Sequence, residues 1–145
     1  MTIFEAQRRI AKIDLLEIAA RTLTELESLV IALNQEQLSH GLRSDGEELY
    51  PDYRDKSYAA MKHRKNPKPG EGVPDLELTG SFYNKFYLDT DKFTVSSHDA
   101  KTEKLVEKYG RSIFGLSDDS LQKMKPEVIR RFKAKIDGIL NGDGE

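Results

Sequence analysis

Residues 75–95, DLELTGSFYNKFYLDTDKFTV, are the only run of this 145-residue chain whose pattern indicates β-structure. Apolar side chains alternate there with polar residues or tyrosines, as on a strand with one buried face. The apolar residues at even positions are Phe82, Phe86 and Leu88. The polar segment 89–92 then separates this run from the aromatic and β-branched residues 93–95. The sequence therefore predicts a central β-hairpin with a short loop within the segment 75–97.

The N-terminal segment, 1–41, has the periodicity of one long helix. Apolar residues recur at spacings near three and four, and no glycine or proline occurs before Gly41. Thr2 and Glu5 have the spacing of a capping box at the beginning of this helix. A second apolar stripe runs along it: Leu15, Ala19, Leu26 and Leu29. Such a helix either packs against two partners, one of them a neighbouring subunit, or lies across a broad core.

Residues 42–74 differ in composition and predict an extended arm. Four of the five prolines of the chain lie there, and only residues 55–64 have a helical pattern. Irregular segments of this length inside a domain are usually functional or disordered. Between positions 54 and 68 the bases outnumber the single acid, Asp55: they are Arg54, Lys56, Lys62, Arg64, Lys65 and Lys68. These six residues are our candidates for contacts with a protein partner or with DNA.

The C-terminal segment, 98–141, predicts further helices. Gly110 ends the first of them, Ser117 has the position of an N-cap for the next, and Pro126 should kink or divide that helix. The last helix has an apolar face along 128–140 and a basic opposite face. With the hairpin, these elements predict a single α+β domain over residues 1–145.

Composition limits the classes of function. The net charge of −2 gives no overall electrostatic case for binding nucleic acid or an anionic membrane. The chain has no cysteine, which excludes disulfides and thiolate metal sites. Apolar residues make up 37% and charged residues 33%, which is lean for a single thick core. A compact core with protruding arms, or a core that neighbouring subunits complete, fits this composition better. No apolar run reaches the roughly 18–20 residues that span a bilayer, so we expect no membrane contact.

Side chains that could carry chemistry are scattered. The three histidines, His40, His63 and His98, lack the spacing of a metal site. Neighbouring carboxylates such as Asp118 and Asp119 have ordinary roles as cap or turn residues, and no serine lies in a nucleophile elbow. We therefore expect no enzymatic activity, no metal and no cofactor.

Several short motifs occur in an order that resembles a known family. They are Gly-x-x-x-Tyr-Pro at 46–51, Tyr-Ala-x-x-Lys at 58–62, a triplet before the hairpin (Leu78, Thr79, Gly80) and a triplet before the last helix (Phe114, Gly115, Leu116). The order is similar to that of the tail-completion and virion-morphogenesis proteins of tailed bacteriophages, including Mu-type members and neck proteins from phages of Bacteroidetes. Tyr50 stands where the Mu-type pattern often has Trp, and Ile113-Phe114-Gly115 varies its Phe-Leu-Gly order.

The resemblance implies a structural subunit of the phage neck, in a ring that joins the portal or connector to the tail. It implies an α+β fold, no cofactor, and as partners copies of the chain itself, other neck, portal or tail proteins, and DNA in the channel. The protein would then reside in the virion and in the host cytoplasm during assembly. Two other hypotheses stay open: a small nucleic-acid-binding domain that uses residues 54–68, and an enzyme with an unrecognised site.

Overall fold

The structure is a computed structural model, and it describes residues 1–142. Within this range the chain forms helices and one two-stranded antiparallel sheet, which confirms the α+β class. The elements are α1 (Ile3–Ala11), α2 (Leu15–Glu25), α3 (Glu27–Ser39), α4 (Lys56–Lys65), α5 (Ser81–Asn84), β1 (Phe86–Asp89), β2 (Thr94–Ser97), α6 (Thr102–Tyr109) and α7 (Asp118–Leu140). A short 3-10 turn, Arg111–Ile113, connects α6 to the segment that precedes α7.

The N-terminal segment forms three helices, so the prediction of one long helix is wrong. The first break has a local cause: the Asp14 carboxylate accepts hydrogen bonds from the backbone N–H groups of Leu16 and Glu17, at 3.1 and 3.2 Å. An N-cap of this kind stabilises the beginning of a new helix and competes with continuation of the preceding one. The second break lies at the buried Leu26, between α2 and α3.

Both predicted ends of this segment are confirmed. Thr2 and Glu5 form a reciprocal capping box, with hydrogen bonds of 3.1 and 3.0 Å. At the other end Gly41 has a φ of +73° and follows the last turn of α3. Its N–H donates to the Leu38 carbonyl at 2.8 Å, and the next N–H donates to the Gln37 carbonyl at 3.1 Å. This is the Schellman arrangement, which favours glycine at the left-handed position.

Residues 42–74 are mostly irregular apart from α4, and they pack against the domain. Leu49 is only 1% exposed, and its N–H donates to the Gly41 carbonyl at 2.8 Å. A Cβ atom at Gly41 would lie 2.6 Å from Val73 Cγ1 and 2.9 Å from Pro69 Cβ, so this glycine allows the chain to return directly onto the end of α3. The segment therefore differs from the projecting arm that we expected.

The central hairpin is confirmed, with shorter strands than predicted. β1 and β2 pair antiparallel, with Phe86 opposite Ser97 and Asp89 opposite Thr94. Phe82, which we assigned to the first strand, lies in the short helix α5 instead. Its buried ring packs edge-to-face on Phe86 with the centroids 5.0 Å apart. Burial of both rings on one side produced the alternation in the sequence, although only one of them lies on a strand.

The last helix, α7, continues through Pro126, so the division that we expected there does not occur. Proline removes one backbone donor, which leaves the carbonyl of Gln122 without its helical partner. Gln122 and Pro126 are both exposed, and that carbonyl is therefore open to water. Ser117 caps the helix as predicted, because its hydroxyl accepts a hydrogen bond from the Ser120 N–H at 3.3 Å.

One apolar core joins α3, the hairpin, α6 and the beginning of α7. Its buried members include Val30, Leu38, Phe82, Phe86, Ile113 and Met124. α2 packs against this core through Leu23 and on α7 through Glu25, which contacts Lys135 at 2.6 Å and Arg131 at 3.4 Å. α1 lies at the C-terminal end of α7, where Arg9 Nη1 donates to the Leu140 carbonyl at 2.6 Å.

Candidate functional site

The six candidate bases of segment 54–68 do not share one role. Lys62 lies at the inner side of α4, and its ammonium is 2.8 Å from the carboxylate of Asp75. The exposed fractions of the two side chains are 11% and 3%, so this is a buried ion pair. Lys68 contacts Glu36 on α3 at 3.4 Å. Both lysines thus attach their segment to the rest of the domain.

The other four bases of the segment remain on the surface. They are Arg54, Lys56, Arg64 and Lys65, and each is exposed. Within residues 1–142 none of these four forms an ion pair. Two of them, Arg64 and Lys65, lie in the last turn of α4, where the helix dipole favours positive charge. The surface available to an anionic partner is therefore smaller than the sequence indicated.

Two tyrosines near this segment could stack on nucleobases, but their rings already pack against each other. The rings of Tyr53 and Tyr58 meet edge-to-face with their centroids 5.0 Å apart. Burial, together with the nearby Asp75 carboxylate, raises the pKa of Tyr53 above its ordinary value. The Tyr53 ring is thus partly buried, in contact with Tyr58 of α4.

Asp75 organises the polar interior beneath α4. One carboxylate oxygen accepts from the Glu77 N–H at 3.0 Å as well as from Lys62, and the other accepts from Asn66 Nδ2 at 3.0 Å. The hydroxyl of Tyr83 donates to the Asp75 carbonyl. These contacts satisfy a carboxylate that is 2% exposed, as burial of a charge requires.

The triplet before the hairpin begins a helix. Gly80 has a φ of +84° and precedes the first residue of α5, Ser81. Thr79 is exposed and its hydroxyl donates to the Ser81 hydroxyl at 3.1 Å, while Leu78 is 64% exposed. Gly80 thus turns the chain into α5 and, through it, into β1.

The triplet before the last helix is held by two amide side chains of α3. Asn34, which is completely buried, donates to the Ile113 carbonyl at 3.0 Å and accepts from the Gly115 N–H at 2.9 Å. One turn further on, Gln37 donates to the Gly115 carbonyl at 3.0 Å and accepts from the Ser117 N–H at 2.8 Å. These four hydrogen bonds, here called the amide clamp, satisfy main-chain groups that no regular element pairs.

The residues of this triplet therefore have structural roles. Phe114 packs in the aromatic cluster, with its ring centroid 5.4 Å from that of Phe86 and 5.9 Å from that of Phe82. Gly115 has a φ of +107°, a conformation that a side chain resists. Leu116 packs against the core at its margin. The amide clamp was not predicted, although Asn34 and Gln37 interrupt the apolar pattern of α3 at helical spacing, which was a usable signal.

The N-terminal end of the molecule carries a large exposed apolar surface. Six side chains form it, with exposed fractions from 57% to 84%: Met1, Ile3, Phe4, Ile10, Leu15 and Leu16. No residue of α1 is buried. We call these six residues the N-terminal apolar surface. Exposure of this many large apolar side chains within 16 residues is typical of an interaction site in soluble proteins.

A second apolar feature lies between α2, the hairpin and the beginning of α7. It is a groove with a volume of about 340 Å³, lined by residues that include Leu23, Leu88, Phe93, Phe114, Leu121 and Met124. Phe93 and Leu121 are 48% and 43% exposed at its rim. Phe93 has a φ of +53°, which is uncommon for an aromatic residue. We call this feature the apolar groove.

Two other kinds of site are absent from residues 1–142. No cluster of three or more His, Cys, Asp or Glu side chains is arranged to hold a metal ion there. In the same range no helix combines the length and the hydropathy that crossing a bilayer requires.

Comparison with known proteins gave no relative. No protein-family model matches the chain, and neither the curated proteins nor the solved structures contain a significant match to it.

Proposed function

We propose that this protein is a structural subunit of a bacteriophage neck or tail-completion ring, which joins the portal or connector to the tail. The observation that carries the proposal is the N-terminal apolar surface. A chain of 145 residues that leaves six large apolar side chains in water within its first 16 residues gains stability when another protein covers them. The placement in a phage neck rests on the resemblance of the four motifs.

The proposal names the partners. Copies of this chain cover one another, and other neck, portal or tail proteins contact the faces of the ring. The protein works in the virion and is assembled in the host cytoplasm, with no cofactor and no catalytic step. The surface bases Arg54, Lys56, Arg64 and Lys65 then face either DNA in the channel or an acidic patch on a neighbouring protein.

A second candidate function is binding of nucleic acid. It is favoured by those four bases, which are exposed and lack acidic partners in the described part of the chain. Counterion release makes such binding steeply dependent on salt, with a slope of about −0.9 for each phosphate neutralised.

The test is the mass of the purified protein by light scattering, at low and high salt, with and without duplex DNA. The proposal expects a discrete ring-sized oligomer that survives high salt, because apolar contacts are not screened. A monomer or dimer that binds DNA with a steep salt dependence would refute it. In that case the variant Arg64→Glu/Lys65→Glu should lose the binding, and the matched variant Lys104→Glu/Lys108→Glu on α6 should keep it.

A further inference from the structure

We propose that a pocket lined by three tyrosines binds an arginine side chain of a partner protein. The pocket lies between the beginning of α4, α6 and the segment before the hairpin, and it has a volume of about 130 Å³. Residues that line it include Tyr53, Tyr58, Glu77, Lys101 and Tyr109. We call it the tyrosine pocket. The proposal goes beyond the proposed function, because it assumes neither a ring nor a phage particle.

One wall of the tyrosine pocket contains a residue in a strained conformation. Leu76 is 9% exposed and has a φ of +60°, which a leucine rarely adopts. The Asp75 carboxylate accepts from the Glu77 N–H at 3.0 Å, and the Lys62 ammonium donates to the Glu77 carbonyl. Backbone strain that surrounding contacts enforce in this way clusters at ligand sites. The buried ion pair beneath α4 therefore also fixes the shape of this pocket.

The size of the tyrosine pocket limits its ligand to a single side chain. Sites for small molecules and cofactors usually enclose about 300 Å³ or more. The volume here is less than half of that value. Small surface pockets of this kind hold the anchor residues of protein interfaces. Leu78, which is 64% exposed and belongs to the lining, would be covered by the chain that presents the anchor.

The aromatic rings make the pocket suitable for a cation. The planes of Tyr53 and Tyr58 are 85° apart, so these two rings stand nearly at a right angle, and Tyr109 adds a third ring. The face of an aromatic ring is electronegative and attracts ammonium and guanidinium groups. One such contact already exists in this cluster, because Lys108 Nζ lies over the Tyr109 ring, 5.3 Å from its centroid. Lys108 does not line the pocket, which therefore has room for a second cation.

Of the two charged residues in the wall, only the acid lacks a charged partner. Lys101 donates to the Ser81 hydroxyl at 2.8 Å and lies 3.6 Å from Asp99, so its ammonium is directed toward these two groups. Glu77 is exposed, and its carboxylate forms no ion pair with any residue of the range 1–142. A cationic ligand would gain this carboxylate as a partner, whereas an anionic ligand would be repelled by it.

The other charges near the pocket nearly balance, so they do not oppose a cation. The three segments that form the pocket are 52–62, 75–78 and 99–109, and together they carry seven acids and six bases. The acids are Asp52, Asp55, Asp75, Glu77, Asp99, Glu103 and Glu107, and the bases are Arg54, Lys56, Lys62, Lys101, Lys104 and Lys108. Because the wider field is close to neutral, the unpaired carboxylate in the wall decides the sign of the ligand.

Arginine satisfies this combination of walls better than lysine. Its planar guanidinium stacks on a tyrosine ring, pairs with both oxygens of a carboxylate such as that of Glu77, and is more weakly hydrated than an ammonium. Its methylene groups would contact the leucines of the lining, Leu76 and Leu105. Tyrosine and arginine are also among the residues that contribute most to the affinity of protein interfaces.

The test is an NMR titration of the complete chain with blocked peptides of the form Gly-Ser-X-Ser-Gly, in which X is arginine, citrulline or glutamate. Citrulline has the shape of arginine without its charge. We expect millimolar binding of the arginine peptide, with shifts of the ring signals of Tyr53, Tyr58 and Tyr109, and about fivefold weaker binding of the citrulline peptide. Equal affinities for arginine and citrulline, tighter binding of glutamate, or unshifted ring signals at the highest soluble peptide concentration would each overturn the proposal.

Two variants separate the pocket from the net charge of the protein. Glu77→Gln should weaken binding of the arginine peptide about fivefold and leave that of the citrulline peptide unchanged. Glu77 is exposed, so we expect the variant to fold. The matched control is Glu107→Gln, which removes an exposed glutamate that lines a different cavity and should change neither affinity. If both variants lower the arginine affinity equally, the effect is one of net charge and the proposal is wrong.

The pocket and the ring can fail separately. A ring-sized oligomer that does not bind the arginine peptide refutes the pocket proposal and leaves the proposed function in place. A monomer that binds the arginine peptide through Glu77 supports the pocket proposal and removes the ring.

Discussion

Replacing Lys62 by methionine should destabilise the protein strongly, although the sequence presents this lysine as one of a cluster of surface bases. Its ammonium lies 2.8 Å from Asp75, and the exposed fractions of the two side chains are 11% and 3%. Lys62→Met leaves Asp75 charged and buried, with hydrogen bonds only from Asn66 and the Glu77 N–H. Breaking one side of a buried ion pair costs about 3–5 kcal/mol of unfolding free energy. For a domain of this size the loss corresponds to a fall in Tm of about 10–15 °C.

The assay is thermal and urea unfolding of four proteins: the wild type, Lys62→Met, Asp75→Asn and the double variant. Because the double variant buries no unpaired charge, it should be more stable than Lys62→Met alone, with a coupling energy of about 1–3 kcal/mol. Lys65→Met is the matched control on the same helix. Its lysine is exposed and without an ion pair in the described residues, so its Tm should change by less than about 2 °C. If Lys62→Met behaves like this control, or if the coupling is zero, our account of the ion pair is wrong.

Three further results are expected. Gly41→Ala should lower the free energy of unfolding by about 2–3 kcal/mol in a urea titration, because the new Cβ would lie 2.6 Å from Val73 Cγ1. Gly46 also has a positive φ but nothing within 4 Å of a Cβ, so Gly46→Ala should cost only about 1 kcal/mol in the same titration. Equal losses from the two variants would contradict the packing argument. Asn34→Leu should cost about 2–4 kcal/mol by calorimetry, because two buried main-chain groups lose their partners, and a neutral effect would mean that the amide clamp does not form. Hydrogen bonds from Arg130 and Arg131 lower the pKa of Glu127 to about 2, so its contribution to stability is complete above about pH 4.3 and disappears as the pH falls toward 2; Glu127→Gln should flatten unfolding profiles only in that window.

Much of the fold followed from local patterns in the sequence. The capping box at Thr2, the terminating glycines 41 and 110, the cap at Ser117 and the central hairpin all depend on a few neighbouring residues, and each is present. The break between α1 and α2 at Asp14 was missed, because the apolar pattern does not reveal it. Apolar periodicity extends across it, and periodicity cannot show where a carboxylate takes over the N–H groups of the next turn.

The candidate site was harder to predict, because its features depend on distant partners. Lys62 looks like its exposed neighbour Lys65 in the sequence, and only the approach of Asp75 from 13 positions away distinguishes them. The apolar residues of α1 gave a normal amphipathic pattern, and nothing local shows that Arg9 holds the helix with its apolar side outward. Pro126 was misjudged because the cost of a missing donor depends on whether the orphaned carbonyl is buried or wet.

The amide clamp also affects which substitutions this protein tolerates. Asn34 and Gln37 bind the carbonyl and N–H groups of residues 113–117, and those groups are present whatever side chains the segment carries. The strict requirements therefore fall on two amides in α3 and on glycine at 115, about 80 positions downstream. We expect a library randomised over positions 112, 114 and 116 to retain many folded members of apolar character. One randomised over 34 and 37 should retain very few.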